Sequence, residues 1–205
     1  PTATCSPAAT AQASTTPTAS ATPTATLINS ATPTATASPR PTAEPHCEQL
    51  LLDPGFEEVE SPAWQFFGAA KRIPGHPEGH AAWLGDVVDA DGELLQFVDL
   101  PVEAVPIELS FRWLVDSAEE QPGDVLCVLL QREEPEPVIE LLQLPAVDPL
   151  TIWQQAYLDL TPYAGREYAL TFHVHNDEYV RSLFVVDDVQ VVACFPPPAP
   201  LYLPR

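Results

Sequence analysis

Residues 182–195 form the stretch that most constrains how this chain can fold, with the sequence SLFVVDDVQVVACF. Val and Phe dominate it, and these residue types favour β-strands. The alternation of apolar residues changes phase at Asp187-Asp188, and one extra residue at that point predicts a β-bulge. Unpaired buried charge is costly, so two carboxylates in an apolar strand predict a cation that neutralises them.

The chain from Cys47 onward predicts further strands that pair with this one. Short stretches rich in β-branched and aromatic residues are separated by turns that contain Pro, Gly and Asp. Residues 125–131 are apolar on both faces, which is typical of a central strand. No amphipathic helix interrupts the series, so the pattern predicts an all-β fold, an antiparallel β-sandwich of the jelly-roll type. The predicted strands cover residues 49–52, 64–67, 80–84, 93–100, 106–117, 125–131, 138–144, 153–160, 167–175 and 182–195.

Composition divides the chain into three regions. Residues 1–46 consist mainly of Ala, Thr, Pro and Ser and cannot bury a core, so we expect an extended tail or stalk. Residues 47–195 hold the sandwich, and residues 196–205 form a Pro-rich exit. A plain flexible linker is the alternative for the tail. If the tail is a stalk, the candidates for O-glycosylation are Thr22, Thr24, Thr26, Thr32, Thr34 and Thr36.

Two features of the tail suggest that it reaches another molecule. Thr26, Leu27 and Ile28 form an apolar interruption that is long enough to add a short strand to an open sheet edge. Cys5 is a single thiol in the tail, and an odd cysteine in a secreted chain suggests an intermolecular disulfide. Cys127 is a candidate partner for it, although an inert buried thiol is the alternative expected in an apolar strand.

The other two cysteines frame the folded region, since Cys47 opens it and Cys194 closes it. The first and last strands of a sandwich often lie side by side, so we predict a Cys47–Cys194 disulfide. Two unpaired thiols are the alternative. A disulfide would imply an oxidising compartment, and we expect the protein to be extracellular or at the cell surface.

Charge and motifs exclude several functions. The formal net charge of −21 disfavours binding to nucleic acid or to anionic membranes, both of which require a basic surface. No apolar stretch approaches the length of a transmembrane helix, so membrane insertion is not expected. The nucleophile-elbow, zinc-protease and phosphate-loop motifs are missing from the sequence, and we therefore expect a protein that is not an enzyme.

A series of motifs resembles one family of domains. In order these are LLDPGFE (51–57), HPEGHAAWLG (76–85), LLQFVDLP (94–101), LSFRW (109–113), WQQAYLDLTPYAG (153–165) and FVVDDV (184–189). The series resembles the galactose-binding-like jelly rolls, which include carbohydrate-binding modules, MAM-like domains and cleaved-adhesin domains. The Thr/Pro tail resembles those of secreted bacterial surface proteins.

The resemblance implies a structural Ca²⁺ near the seam between the first and last strands. Glu57 and Asp187 would be its side-chain ligands, with Asp188 as a weaker candidate and loop carbonyls at residues 76–79 completing the shell. Ca²⁺ takes oxygen ligands, which agrees with the cation expected at the bulge. The alternative is that Asp187 and Asp188 cap a turn or pair with an arginine.

One polar face is a candidate for ligand binding. His173 and His175 point to the same side of a predicted strand, where they could line a sugar-binding face with Arg112 or bind a transition metal; solvated histidines are the alternative. We expect a non-catalytic extracellular structural or adhesion subunit that self-associates into a fibre or surface layer through its tail. The alternative is a carbohydrate-binding or adhesin module, with glycans or cell-surface polymers as partners, displayed on a glycosylated stalk.

Overall fold

The structure is a computed structural model, and it describes residues 44–58, 63–74, 79–118, 123–133, 135–146 and 152–197. Over these residues the chain forms eleven strands in two antiparallel sheets, with one 3₁₀ turn at Thr161–Tyr163 and no α-helix. The predicted all-β sandwich is therefore confirmed. None of the described residues belongs to a helix that is long and apolar enough to span a membrane.

The first sheet is built around the last strand of the chain. Its strands are β1 (His46–Gln49), β3 (Ala70–Pro74), β4 (His80–Gly85), β6 (Ile107–Asp116), β9 (Gln154–Asp159) and β11 (Leu183–Phe195). One edge of β11 pairs with β6, and the other edge pairs with β4 along its first half and with β1 along its second half. The closing strand is thus central to this six-stranded sheet.

The phase change in β11 is a β-bulge, as the sequence predicted. Pairing with β6 shifts between Asp187 and Gln190, and Asp188 adopts a positive φ of 51°. The shift allows apolar residues on both sides of the bulge to face the same core. These core residues of β11 are Phe184, Val186, Val189, Val191 and Ala193.

The second sheet has five strands in the order β2-β5-β10-β7-β8. They are β2 (Gln65–Gly68), β5 (Ala90–Leu100), β7 (Val125–Gln131), β8 (Ile139–Pro145) and β10 (Arg166–Asn176). Alternate residues of each strand point into the sandwich, because side chains in a strand alternate between two faces. Across the core, the rings of Phe111 and Phe172 are both fully buried, with centroids 5.1 Å apart in an edge-to-face arrangement.

Two strand assignments from the sequence were wrong. The first strand is His46–Gln49 rather than residues 49–52, and the strand Ala70–Pro74 had not been predicted. All four residues of β1 are exposed, so β1 carries no amphipathic signal, whereas the apolar residues that follow it resemble a strand. Leu50 continues the ladder by one hydrogen bond to Val191, after which the chain bends towards the turn at Asp53-Pro54-Gly55.

The tryptophans lie on both faces of the six-stranded sheet or beside it. Trp64 is buried in the main core. Trp83 and Trp153 pack with Ala81, Leu183 and Val185 in a separate cluster on the outer face of the six-stranded sheet. This second cluster covers the part of β11 that faces away from the core.

Candidate functional site

The seam predicted between the first and last strands exists, and the turn after Leu52 forms one side of it. The amide of Val189, just after the bulge, donates a hydrogen bond of 2.8 Å to the carbonyl oxygen of Pro54. Gly55 lies between two acids: a Cβ placed there would be 4.0 Å from an oxygen of Glu57 and 4.0 Å from an oxygen of Asp188. The carboxylates of Glu57 and Asp188 therefore point towards the same small region.

Glu57 is fixed by His80 on the neighbouring strand. Its carboxylate accepts hydrogen bonds from the main-chain amide of His80 at 2.9 Å and from the ring Nδ1 at 3.0 Å. The contact with the His80 ring is the main reason that the pKa of Glu57 lies below its ordinary value. Gly79 has a positive φ of 87°, a conformation that favours glycine, and it lies directly beside the Glu57 carboxylate.

The two acids of the bulge share one arginine. Arg112 Nη2 lies 3.0 Å from Asp187 Oδ2, and Arg112 Nε lies 2.7 Å from Asp188 Oδ2. Burial raises the pKa of Asp187 to about 6, against the hydrogen bond from the Asp188 amide and the charge of Arg112. The arginine also lies over the Trp153 ring, 5.1 Å from its centroid. The pairing of these acids with an arginine, the alternative raised from the sequence, is thus the arrangement observed.

These contacts decide how the predicted calcium ligands fit an ion. Asp187 is occupied by Arg112 and by the Asp188 amide. Asp188 is also ion-paired with Arg112, through Oδ2, but its Oδ1 and an oxygen of Glu57 both face the region beside Gly55, so an ion there would use Asp188 Oδ1 and share Glu57 with His80. The described residues contain no group of three His, Cys, Asp or Glu side chains that could hold a metal, so further ligands would have to be main-chain carbonyls. Residues 76–78, which were predicted to supply them, lie outside the described residues.

The side chains of the five-stranded sheet that point away from the core form a second surface, which we call the five-strand face. Strand pairing places Phe67, Glu93, His173, Cys127 and Gln143 in one row across all five strands. The β2 and β5 side of this face is open, since Phe67 is 50 % exposed and Phe97 is 59 % exposed. We call this side the open half.

A groove of about 700 Å³ lies at one end of the open half. The end of β7 and the loop after it form one wall, and β5 and β10 form the floor. The ring of Tyr168 lies under the guanidinium of Arg132, 5.9 Å from its centroid, and Arg132 is in turn ion-paired with Glu136. The lining residues are Leu95, Phe97, Gln131, Arg132, Glu133, Pro135, Glu136, Glu167, Tyr168 and Ala169.

The histidines of the five-strand face are held by acids. His175 Nδ1 lies 2.9 Å from Asp91 Oδ1, and His173 Nε2 lies 3.3 Å from the same oxygen. Burial works to raise the pKa of Asp91, but the hydrogen bonds to His175 and His173 outweigh it and leave that pKa below its ordinary value. His173 Nδ1 lies 3.5 Å from Glu93 Oε1. Asp91 therefore remains a carboxylate that positions two imidazoles.

Two expectations about these side chains were wrong. His173 is 1 % exposed, so it is not a solvated surface histidine. Arg112 does not share a face with His173 and His175, because it belongs to the six-stranded sheet and pairs with β11, whereas the histidines lie on β10 of the other sheet. The predicted ligand face therefore does not exist as a set, although its two histidines do lie together.

Sequence reasoning missed the two exposed phenylalanines. Phe67 stands next to Phe66, which packs against the core, and an aromatic pair does not show which member points outward. The outward position of Phe97 was missed because Gln96, the neighbouring residue that points inward, is polar. The Gln96 amide exchanges hydrogen bonds with the main chain of Leu52, at 2.7 and 2.9 Å, and so fills a core position with a polar residue.

The three described cysteines are all in disulfides. Cys47 is bonded to Cys194 across the β1–β11 ladder, the pairing predicted from the sequence. Cys127 is also in a disulfide, so the alternative of an inert buried thiol is excluded. Cys5, the strand-addition segment Thr26–Ile28 and the glycosylation candidates from Thr22 to Thr36 lie outside the described residues.

Solved structures share this fold, although no protein-family model and no curated protein matches the chain. TmCBM61, a carbohydrate-binding module solved in complex with β-1,4-galactotriose, superposes with a TM-score of 0.51 at 19 % identity, over 70 % of this chain and 97 % of that one. The K1 cleaved adhesin domain of Lys-gingipain from Porphyromonas gingivalis gives 0.47 at 17 % identity, over 74 % and 98 %. The family 11 carbohydrate-binding module of a Clostridium thermocellum cellulosomal cellulase gives 0.45 at 10 % identity, over 73 % and 96 %. The predicted resemblance is confirmed at the level of the fold.

Proposed function

We propose that this chain is a non-catalytic, extracellular glycan-binding module, and that it binds sugar on the open half of the five-strand face. The observation that carries the proposal is Phe97, which is 59 % exposed and lines a groove of about 700 Å³. A groove lined by aromatic side chains and a few polar groups is typical of a ligand-binding site. The sandwich that presents it is a fold shared with a carbohydrate-binding module.

The spacing of the aromatic rings suits an extended ligand. Phe67 pairs with Glu93, and Phe97 lies four residues further along β5. Strand geometry then places the two residues about 14 Å apart on the same face. Sugar rings present apolar C–H faces that stack on aromatic rings, so two such rings would contact separate residues of an oligosaccharide. The polar groups between them would bind hydroxyls.

Charge narrows the glycan class. The net charge is −21, and Asp91, Glu93, Glu133 and Glu167 all belong to the five-strand face or its groove. Arg132, which lines the groove, is ion-paired with Glu136, and Arg166 lies 3.7 Å from the same glutamate. The negative charge of this surface would repel an anionic polysaccharide, so we infer that the ligand is a neutral glycan.

The chemistry of the face supports binding without catalysis. A glycosidase needs one carboxylic acid that stays protonated and a second carboxylate at a set distance from it. Asp91 has a lowered pKa and is engaged by two histidines, which suits it poorly as a general acid. The disulfides support secretion, since such bonds persist in oxidising compartments.

Replacement of Phe97 by alanine should weaken glycan binding by at least about tenfold, equivalent to about 1.4 kcal/mol. An array of neutral and acidic glycans, including a β-1,4-galactan, would first identify a ligand, and calorimetry would then compare the variants. Tyr157→Ala is the matched control, because Tyr157 is an exposed aromatic residue on the other sheet, 65 % exposed. Equal losses in both variants, or a preference for acidic glycans, would contradict the proposal.

A second proposal concerns calcium. We infer that Glu57 and Asp188 hold a structural Ca²⁺ together with main-chain carbonyls, since both carboxylates reach the region beside Gly55. Chelation should lower the melting temperature by about 5 °C, because an ion that binds only the folded state stabilises it. Added Ca²⁺ should restore the temperature in the wild type but not in Glu57→Gln. An unchanged melting temperature on chelation would exclude the site.

A further inference from the structure

The five-strand face is open on one side only. On the β7 and β10 side, Val125, Cys127, Leu129, Thr171 and His173 are between 0 and 4 % exposed, although they point away from the core. We call these five residues the covered half. On the same sheet, by contrast, Phe67 is 50 % exposed and Phe97 is 59 % exposed. Burial this complete on an outward-facing surface indicates that another part of the chain covers this half.

The described residues do not supply an apolar cover. Val125, Cys127 and Leu129 form a hydrophobic cluster of their own, and no other described hydrophobic residue packs against it. Thr171 Oγ1 is buried without a hydrogen-bond partner, and so is His173 Nδ1, whose 3.5 Å contact with Glu93 Oε1 is not a hydrogen bond. A stretch of chain that lies over this half and offers few polar partners would account for both findings.

The cysteines identify which stretch of chain lies over the covered half. The chain has four cysteines, at positions 5, 47, 127 and 194. Cys47 is bonded to Cys194, and Cys127 is disulfide-bonded as well. Within one molecule, Cys5 is the one remaining cysteine that can be its partner.

We propose that the segment around Cys5 folds back across the covered half of the five-strand face and is fastened there by an intramolecular Cys5–Cys127 disulfide. The occupant is therefore the N-terminal tail of the same chain. The tail would form the wall that bounds the open half, and its cysteine would not be available to link neighbouring molecules. This placement does not depend on the glycan proposal.

Charge and length support this occupant. Arg40 is the only charged residue among residues 1–43, so the tail can cover an apolar patch without meeting repulsion from an acidic domain. Residues 6–43 separate Cys5 from the described chain. In extended form they span about 120 Å, and the two sheets of a sandwich are only about 10 Å apart, so the tail can pass from β1 to the opposite sheet.

The bond itself forms by thiol–disulfide exchange. The thiols of Cys5 and Cys127 each lose a proton and together give up two electrons, and one S–S bond forms between them. The oxidant is a protein or small-molecule disulfide of the secretory compartment, which is reduced to two thiols. Formation must precede or accompany docking, because Cys127 is 0 % exposed in the folded state.

Peptide mapping of the full chain tests the linkage. Monomer would be isolated under non-reducing conditions, its free thiols alkylated, and the protein digested with chymotrypsin, which can cut after Leu27 and so separate Cys5 from Cys47. We expect a peptide pair that joins Cys5 to Cys127 within the monomer. Linkage found only in a disulfide dimer, as the fibre hypothesis requires, or alkylated Cys5 in the monomer, would overturn the proposal.

Labelling tests the covering itself. In Cys5→Ser the tail loses its anchor, so Cys127 should become a free thiol that a maleimide labels in the native state. Leu27→Ser, which alters the tail but keeps Cys5, is the control, and its labelling should be at least about tenfold slower. Cys127 that stays unreactive in folded Cys5→Ser would show that another part of the chain forms the cover. Neither readout involves glycan binding, so the two proposals fail separately.

Discussion

Replacing both Cys47 and Cys194 by alanine should lower the free energy of unfolding by about 5 kcal/mol. The bond closes a loop with a sequence separation of 147 residues, and the chain-entropy account of a cross-link gives about that value for so long a loop. In the folded state β1, whose four residues are all exposed, is held by its ladder with β11 and by this bond, so β1 should also open locally more often in the variant. Denaturant unfolding followed by fluorescence would measure the change.

Reduction provides the control for this prediction. With all disulfides reduced, the wild type and the alanine variant differ only in two small side chains, so their stabilities should agree to within about 0.5 kcal/mol. A loss below about 1 kcal/mol under oxidising conditions would show that the bond contributes little and that the ladder alone fixes β1.

Phe111→Ala is expected to cost about 3–5 kcal/mol of stability, since truncating a fully buried aromatic ring removes its burial and leaves a cavity. The ring lies at the centre of the sandwich, where its edge-to-face contact with Phe172 joins the two sheets. Phe97→Ala is the matched control: the same chemical change at an exposed position should alter stability by no more than about 0.5 kcal/mol. Thermal and denaturant unfolding would measure both.

The two phenylalanines together separate stability from function. Phe97→Ala should lose glycan binding and keep its stability, whereas Phe111→Ala should lose stability and, while folded, keep its binding. If Phe97→Ala destabilised the protein as much as Phe111→Ala, its ring would be part of the packing and the binding proposal would lose its main support.

Local patterns in the sequence predict much of this fold. Period-2 alternation identifies most of the strands, and the phase change at Asp187-Asp188 identifies the bulge, because both are properties of neighbouring residues. The first strand was not predicted because β1 is exposed along its whole length, so its residues show no alternation between apolar and polar. Its position depends on pairing with β11, which lies 147 residues away at the disulfide.

The candidate sites depend still more on long-range pairing. Arg112 and His173 look equivalent in sequence, since both are polar residues on alternating strands, yet they belong to different sheets. The outward position of Phe97 follows from the buried amide of Gln96, and that amide is inside because it meets the main chain of Leu52. Such contacts between distant segments leave no trace in local composition.

The central place of β11 has a consequence for the order of assembly. A strand that ends at Phe195 pairs with β1, β4 and β6, so the six-stranded sheet cannot close until nearly the whole domain has been synthesised. Contacts between such distant segments also slow folding, because the chain must lose entropy before they form. The five-stranded sheet and the β3–β4 and β6–β9 ladders can form earlier, so in a nascent molecule the edges of β4 and β6 that face β11 stay unpaired until the last segment arrives.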